Sequence, residues 1–297
     1  MKVLSFGSLN IDYVYKLEHF VQKGETISSQ ALNVFSGGKG LNQSIALAKA
    51  GAKVYHAGAI GEDGLFLVKQ MEDAGVDISL TKVRTDVRSG NAIIQNDKEG
   101  DNCIILYGGA NQAITKEQVD ETLKNFEEGD YLVLQNEINE LPYIVDQAYA
   151  KGMKIVLNPS PMNEKILALD LKKISIFMLN EIEAGQILGT DERDGQKLAQ
   201  ALLAKFPDAG IVLTMGSAGS VYMDRAQTAL QSIYKVKAVD TTAAGDTFTG
   251  FFIGGLLEGL PVKEAMDQAS RASAIAVSRP GASPSIPTLA ETKAYVF

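Results

Sequence analysis

Short apolar runs alternate with helix-like stretches along this 297-residue chain, and their order restricts the fold more than any other feature. We predict strands at Val54–Ile60, Tyr131–Leu134, Lys154–Leu157, Ile174–Leu179 and Gly210–Thr214. The intervening stretches predict helices at Gly64–Ala74, Lys116–Phe126, Pro142–Lys151, Glu181–Leu188 and Gly195–Phe206. Such alternation is typical of a doubly wound, mostly parallel sheet with helices on both faces. The sequence therefore predicts an α/β fold.

Two patches of shorter, strand-like pieces do not fit this alternation. They cover about residues 11–36 and 88–108, and the second contains the turn-rich segment Asn96–Asp101. No internal repeat or obvious linker divides the chain. We predict a single domain over residues 1–297, with a small β-sheet lid formed by the two patches.

Composition limits the classes of function. The formal net charge of −8 argues against a nucleic-acid-binding surface. Cys103 is the only cysteine, so no intrachain disulfide forms and a cysteine-based metal site is disfavoured. His19 and His56 are the only histidines, and we interpret both as surface or packing residues. Because we find no signal-peptide pattern and no apolar run of membrane-spanning length, we predict a cytoplasmic protein without membrane contact.

The segment Asp240–Gly250 joins a turn of small residues to the start of an apolar helix. Free N–H groups at a helix N-terminus bind phosphate oxygens, and Asp246 would lie where a phosphate and a hydroxyl meet. Asp and Thr are also common capping residues that carry no chemistry. Both interpretations stay open from this segment alone.

A glycine-rich segment, Gly37–Gly40, opens a second helix and includes Lys39. Its glycines admit a ligand to the backbone, and Asn42 both donates and accepts hydrogen bonds, which suits a polyhydroxy compound. The spacing is not that of a P-loop. An ordinary strand-to-helix turn explains the segment equally well. Near the N-terminus, Asn10 and Asp12 follow the predicted first strand, where ligand crevices form in parallel sheets.

Asn180–Glu183 follows the predicted strand 174–179 and begins a helix. Acidic residues in a first helical turn commonly complement the helix dipole. Carboxylates at the end of a strand also hold hydrated Mg²⁺. Thr214 and Gly216, at the end of another strand, are compatible with a nearby nucleotide.

In their order and content these segments resemble the ribokinase-like (PfkB) family of sugar kinases. The most specific matches are Gly37–Gly40 with Asn42 and Gln43, and Asp240–Phe248, about 200 residues further on. The resemblance covers nearly the whole chain. It implies a three-layer α/β/α fold with a mostly parallel central sheet and a β-sheet lid. It also implies ATP-dependent phosphorylation of a sugar.

The resemblance implies a role for each matching residue. Asp246 would be the general base, and the backbone N–H groups of Ala243, Ala244 and Gly245 would form an anion hole. The residues implied for sugar binding are Asn10, Asp12, Gly38, Lys39, Asn42 and Glu137. Those implied near ATP are Asn180, Thr214 and Gly216, with Glu183 placing Mg²⁺ through water. Those implied for a monovalent cation, K⁺ by preference, are Asp240, Thr242, Val277, Gly281 and Ser285.

Within the family the chain resembles most the members that phosphorylate ribose, because they too carry alanine at the position of Ala243, where glycine is commoner. Ribose, phosphorylated at its 5-hydroxyl, is therefore the expected substrate, and Asn10 favours ribose over deoxyribose. Leu41 departs from the small residue usual at its position and is expected to reshape the pocket wall. The alternatives are a kinase for another sugar or a nucleoside, and a non-catalytic sugar sensor. Many relatives pair through the lid, so we expect a homodimer.

Overall fold

The structure is a computed structural model that describes residues 1–297, with ten α-helices and thirteen strands. The strands are β1 (Val3–Phe6), β2 (Asn10–Lys16), β3 (Ala31–Gly37), β4 (Val54–Gly61), β5 (Asp77–Arg84), β6 (Gly90–Asn96), β7 (Asn102–Tyr107), β8 (Tyr131–Gln135), β9 (Lys154–Asn158), β10 (Ile176–Asn180), β11 (Gly210–Thr214), β12 (Ser220–Met223) and β13 (Thr228–Gln231). The helices are α1 (Lys39–Lys49), α2 (Leu65–Asp73), α3 (Lys116–Leu123), α4 (Leu141–Ala150), α5 (Glu164–Leu167), α6 (Glu181–Leu188), α7 (Gly195–Lys205), α8 (Ala244–Leu257), α9 (Val262–Val277) and α10 (Leu289–Ala294).

Nine strands form the central sheet, in the order β13-β12-β11-β10-β9-β8-β1-β4-β5. Every pairing from β11 to β5 is parallel, and β12 and β13 add an antiparallel edge. Strand β1 lies inside the sheet, between β4 and β8. The predicted mostly parallel α/β fold is confirmed.

The sheet separates two hydrophobic cores. Leu4 and Phe6 of β1 lie in one cluster of 36 buried residues, whereas Val3 belongs to another cluster of 31. The neighbouring β8 divides in the same way, with Leu134 in the first cluster and Val133 in the second. Successive side chains of a strand point to opposite faces, so each apolar run fills both cores. This is the three-layer arrangement that the sequence predicted.

A separate four-stranded sheet has the order β3-β2-β6-β7. Its middle strands, β2 and β6, are parallel, and both outer strands pair antiparallel. Its strands lie within the two patches of the sequence that did not fit the main alternation. Large apolar side chains are exposed on this sheet, including Phe35, Ile105 and Leu106, the last of which is 62% exposed.

Helix α8 packs closely against α1 because of two glycines one turn apart. A Cβ at Gly250 would lie 2.4 Å from the Cβ of Ala46, and one at Gly254 would lie 2.6 Å from that of Ala50. The glycines on this face of α8 therefore allow close helix packing and do not indicate the approach of a ligand. The close contact fixes the start of α8 relative to the start of α1. None of the ten helices combines the length and apolar character that a membrane span requires.

Candidate active site

The predicted site residues gather at the carboxyl ends of the parallel strands, where the N-termini of α1, α6 and α8 converge. One cleft there is lined by charged and polar groups, among them Lys39, Asn180, Glu183 and Asp246. Lys39 is the only cation in the lining. Helix N-termini and a lysine facing carboxylates form a site for an anion together with a cation.

Asp246 is buried in the first turn of α8, at 5% exposure. Its two carboxylate oxygens accept hydrogen bonds from α1: Asn42 Nδ2 donates to Oδ2 at 3.0 Å, and Gln43 Nε2 donates to Oδ1 at 2.9 Å. Two amide donors therefore fix the orientation of the carboxylate. The link joins residues more than 200 positions apart and connects both predicted motifs.

No side chain caps helix α8. Asp246 turns towards α1, and the Thr242 hydroxyl donates to Asp240 at 2.5 Å. The Gly245 N–H has no acceptor in the protein, whereas the Ala244 N–H bonds to the Thr241 carbonyl at 3.2 Å. The capping interpretation of this segment is therefore wrong, and first-turn N–H groups stay available to an anion.

The start of α1 is held against the loop after β1 by backbone contact. A Cβ at Gly40 would lie 2.3 Å from the backbone nitrogen of Ser8, so only glycine fits. The Glu137 carboxylate accepts the backbone N–H of Lys39 at 2.9 Å and a hydrogen bond from the Ser8 hydroxyl. Gly38 has a φ of 95°, a conformation that also favours glycine. The glycines thus let α1 reach the sheet.

Asp12 and Asn10 lie beside this helix start, on β2. The Asn10 Oδ1 accepts a hydrogen bond from Asn111 Nδ2 at 2.7 Å. Burial, with the nearby charge of Glu137, raises the pKa of Asp12 to about 7. No protein group donates a hydrogen bond to the Asp12 carboxylate. A Cβ at Gly37 would lie 2.2 Å from this carboxylate, so the glycine makes room for the Asp12 side chain.

The implied magnesium residue, Glu183, also has a structural role. It forms a capping box with Asn180: the Asn180 side chain accepts the Glu183 N–H at 2.9 Å, and Glu183 accepts the Asn180 N–H at 3.0 Å. Burial raises the pKa of Glu183, against the opposing hydrogen bond from Asn180 and the charge of Lys39. The structural interpretation of this segment therefore holds, and the same carboxylate also lines the cleft.

A second, larger cavity of about 650 Å³ lies on the other side of the α8 N-terminus. It shares Thr214, Gly245 and Phe248 with the first cleft and also includes Gly216. Its remaining lining is largely apolar or small and comes from residues 217–220, 233–238 and 241–244 and from helix α9. A cavity of this size accommodates a nucleotide base and ribose.

The residues implied for a monovalent cation lie partly together. The Asp240 carboxylate accepts hydrogen bonds from Thr242 N–H at 2.9 Å and from Gly281 N–H at 3.0 Å, and the Asp240 N–H donates to the Val277 carbonyl at 3.2 Å. Despite burial, the hydrogen bonds from Thr242 and Gly281 keep the pKa of Asp240 below its usual value. No hydrogen bond joins Ser285 to these groups; its hydroxyl donates to the Ala282 carbonyl at 2.7 Å.

The model of the pfkB family of carbohydrate kinases matches residues 1–289. The chain belongs to this family. It is 34% identical to the ribokinase of Haemophilus influenzae over 98% of this chain and 96% of that protein. It is 35% identical to the ribokinase of Staphylococcus aureus, over 98% of each chain. The resemblance predicted from two motifs is confirmed.

Solved structures of PfkB proteins share the fold over nearly the whole chain. A ribokinase from Cryptococcus neoformans in complex with ADP has a TM-score of 0.89, 32% identity and 98% coverage of both chains. The Arabidopsis thaliana ribokinase complexed with ribose and ATP has a TM-score of 0.87 and 27% identity, covering 98% of this chain and 97% of that one.

One expectation about this PfkB chain is wrong. Leu41 is fully buried in the core cluster that includes Leu9 and Ile45, so its side chain does not form a pocket wall. Three polar residues of the site were not predicted as functional: Asn111, which holds Asn10, and Gln43 and Gln135, which lie behind Asp246. Gln43 could have been found from its place beside Asn42 in the motif. The other two depend on contacts between distant segments.

Proposed function

We propose that this protein transfers the γ-phosphoryl group of ATP to the 5-hydroxyl of D-ribose. The observation that carries the proposal is the position of Asp246, whose carboxylate lies at an uncapped helix N-terminus between the sugar-binding candidates and the large cavity. Identity of 34–35% to two ribokinases over almost the whole chain supports ribose as the substrate. ATP as the donor supports the cytoplasm as the place of the reaction.

In the proposed reaction the 5-hydroxyl oxygen attacks the γ-phosphorus, and the bond from that phosphorus to the β–γ bridging oxygen breaks, releasing ADP. The hydroxyl proton passes to the Asp246 carboxylate. Because phosphoryl transfer is loose in most accounts, Asp246 mainly orients the hydroxyl and accepts its proton late. The N–H groups of Gly245 and Ala243 would stabilise the charge on the transferred group. The Ala244 N–H bonds to the Thr241 carbonyl in the ligand-free protein and would join them only by breaking that bond.

The sugar would bind between the start of α1 and strand β2. The Asn42 Oδ1 is buried and has no hydrogen-bond partner, although the Nδ2 of the same amide is bound to Asp246. A sugar hydroxyl that donates to this oxygen would satisfy it and lie next to the base. Asp12, Asn10 and Glu137 supply further acceptors, and Gly38 leaves room for the ring. A site with buried acceptors discriminates against a sugar that lacks the matching hydroxyl.

The large cavity would hold ATP, with Thr214 and Gly216 beside the nucleotide and the phosphates directed at the α8 N-terminus. Lys39 would compensate phosphate charge across the cleft. Its backbone also contacts Glu137, so it links the two halves of the site. Asn180 and the buried carboxylate of Glu183 fit an Mg²⁺ ion held mainly through water. Bound Mg²⁺ supplies charge compensation to the phosphate oxygens.

Two further features belong to this proposal. Oxygen atoms of Asp240, Thr242, Val277, Gly281 and Ser285 would hold K⁺ next to the anion hole, mostly through backbone carbonyls. The exposed apolar residues of the small sheet, among them Ile105 and Leu106, would pair with a second copy and form a lid over the sugar. Turnover in K⁺ compared with Na⁺, and molar mass in solution for wild type and Leu106→Asp, test these features.

The experiment is a comparison of turnover on a panel of pentoses, deoxyribose, hexoses and nucleosides with ATP and Mg²⁺. Ribose is expected to give the highest kcat/KM, and preference for another substrate would overturn the ribose assignment. Asp246→Ala is expected to lower kcat by about 10²–10⁴-fold while sugar binding persists. Activity that survives this change would refute the mechanism, and sugar binding without any turnover in the wild type would identify a sensor.

A further inference from the structure

Behind Asp246 lies a buried chain of two glutamines that the reaction itself does not use. Gln43 Nε2 donates to Asp246 Oδ1 at 2.9 Å, and Gln43 Oε1 accepts from Gln135 Nε2 at 2.7 Å. Gln43 is fully buried and Gln135 is 1% exposed. The chain therefore runs from the reacting carboxylate into the interior without contact with solvent.

Chemistry fixes the direction of both amides. An ionised carboxylate only accepts hydrogen bonds, so Gln43 must present its NH₂ to Asp246 and its carbonyl to Gln135. Gln135 must then present its own NH₂ to Gln43. Its remaining oxygen, Oε1, is buried without a hydrogen-bond partner and faces the Cα of Gly7, where a Cβ would come within 2.3 Å of it.

An unpaired buried oxygen costs free energy. In this protein the unpaired oxygen belongs to Gln135, which lies two hydrogen bonds away from the Asp246 carboxylate. We infer that Gln43 and Gln135 are positioning residues, which hold the Asp246 carboxylate in a fixed orientation for the attacking hydroxyl. The inference rests on the proposed role of Asp246 as the base.

Two substitutions at Gln135 separate this role from simple packing. Gln135→Met keeps the approximate size and removes the donor, so Gln43 loses its fixed orientation, and we expect kcat to fall about tenfold with the KM for sugar within about twofold of wild type. Gln135→Glu preserves the shape of glutamine more closely than Gln135→Met does. The ionised carboxylate that it introduces, however, accepts a hydrogen bond from the Gln43 NH₂ and so turns the Gln43 carbonyl towards Asp246. We expect this variant to lose about 100-fold in kcat at about pH 8, a larger loss than that of Gln135→Met.

Gln118→Glu is the matched control. Gln118 is also buried and donates to a backbone carbonyl, that of Gly58, at 2.9 Å, without a hydrogen bond to either glutamine of the chain. This variant is expected to keep its kcat, while Tm of all variants reports any loss of stability. A cycle of Gln43→Met, Gln135→Met and the double variant is expected to be non-additive, because both act on the same carboxylate.

Wild-type kcat in both Gln135 variants, or additive losses in the cycle, would overturn the inference. Loss in Gln135→Met with wild-type kcat in Gln135→Glu at about pH 8 would also contradict it, since the introduced carboxylate is expected to turn the Gln43 carbonyl towards Asp246. The base assignment is tested separately: if Asp246→Ala stays active, the proposed mechanism fails whatever the glutamines do. If Asp246→Ala is inactive and the Gln135 variants are normal, only the positioning role fails.

Discussion

Asp12 makes the stability of the ligand-free protein fall as pH rises. Burial and the neighbouring Glu137 raise its pKa from 3.8 to about 7, so between these values the folded state holds a proton that the unfolded state has released. The stabilisation that this bound proton provides is complete below pH 3.8, the pKa of Asp12 in the unfolded state. It is lost as pH rises through about 7, the pKa of Asp12 in the folded state. At about 1.4 kcal/mol per pH unit, the loss between about pH 5.5 and 8 is about 2 kcal/mol.

The perturbation is Asp12→Asn, which has nearly the same shape and does not titrate. Urea unfolding at about pH 5.5 and 8 is expected to show a drop in the free energy of unfolding that is about 2 kcal/mol smaller in the variant than in wild type. His56 contributes a slope of opposite sign, because its burial lowers its pKa to about 3, but this slope is common to both proteins. Asp63→Asn is the control, since the pKa of Asp63 is lowered and its titration lies below this range. Equal slopes for wild type and Asp12→Asn would show that Asp12 is ionised throughout and would refute the reasoning.

Substitutions at four further positions test the packing around the site. Leu41→Ala is expected to lower the free energy of unfolding, measured by urea unfolding, by about 2–4 kcal/mol, because the side chain is fully buried. The order of preference in the sugar panel is expected to stay unchanged. A changed preference would contradict the position of Leu41 in the core. Gly40→Ala, whose Cβ would meet backbone at 2.3 Å, is expected to cost more than about 3 kcal/mol, whereas Gly245→Ala, whose Cβ meets nothing within 4 Å, is expected to keep its Tm. Phe297 packs against Tyr234, a residue of the large cavity, with ring centroids 4.3 Å apart. Phe297→Ala is expected to raise the KM for ATP roughly two- to tenfold without changing the KM for sugar. Phe297→Tyr is expected to restore the wild-type KM for ATP.

Buried apolar runs predicted most of the central sheet. Strand β11 and helix α6 begin and end where the sequence predicts, because each is bounded by a clear change from apolar to polar residues. Strand β5 was not predicted; it lies at the edge of the sheet and has no fully buried residue. The hairpin of β12 and β13, two four-residue strands at the opposite edge of the sheet, was also missed. Strands at an edge carry a weaker apolar signal than central ones.

Only the site residues that belong to recognisable motifs could be predicted from the sequence. Asp246 and Asn42 stand in recognisable segments, but nothing local to Gln135 indicates that it touches Gln43. That contact follows from the register of the sheet: Phe6 of β1 pairs with Leu134 of β8, so the next residues, Gly7 and Gln135, meet at the strand ends. A sequence pattern predicts that strands exist, and their register emerges only when the whole sheet is assembled.

In the turn before α8, the side chains of Thr242 and Asp246 do not follow the usual pattern of helix capping, and this departure is related to function. An isolated Asp or Thr near a helix start bonds to its own first-turn N–H groups and so occupies them. Here Thr242 bonds instead to Asp240, and Asp246 bonds to the amides of α1, so both side chains are diverted from α8. The diversion leaves N–H groups uncapped at the end of a helix whose dipole favours negative charge. An uncapped start is costly unless a ligand replaces the cap, and a phosphate restores what the missing cap would have contributed. The absence of a cap is therefore the structural feature that most directly connects this segment with phosphoryl transfer.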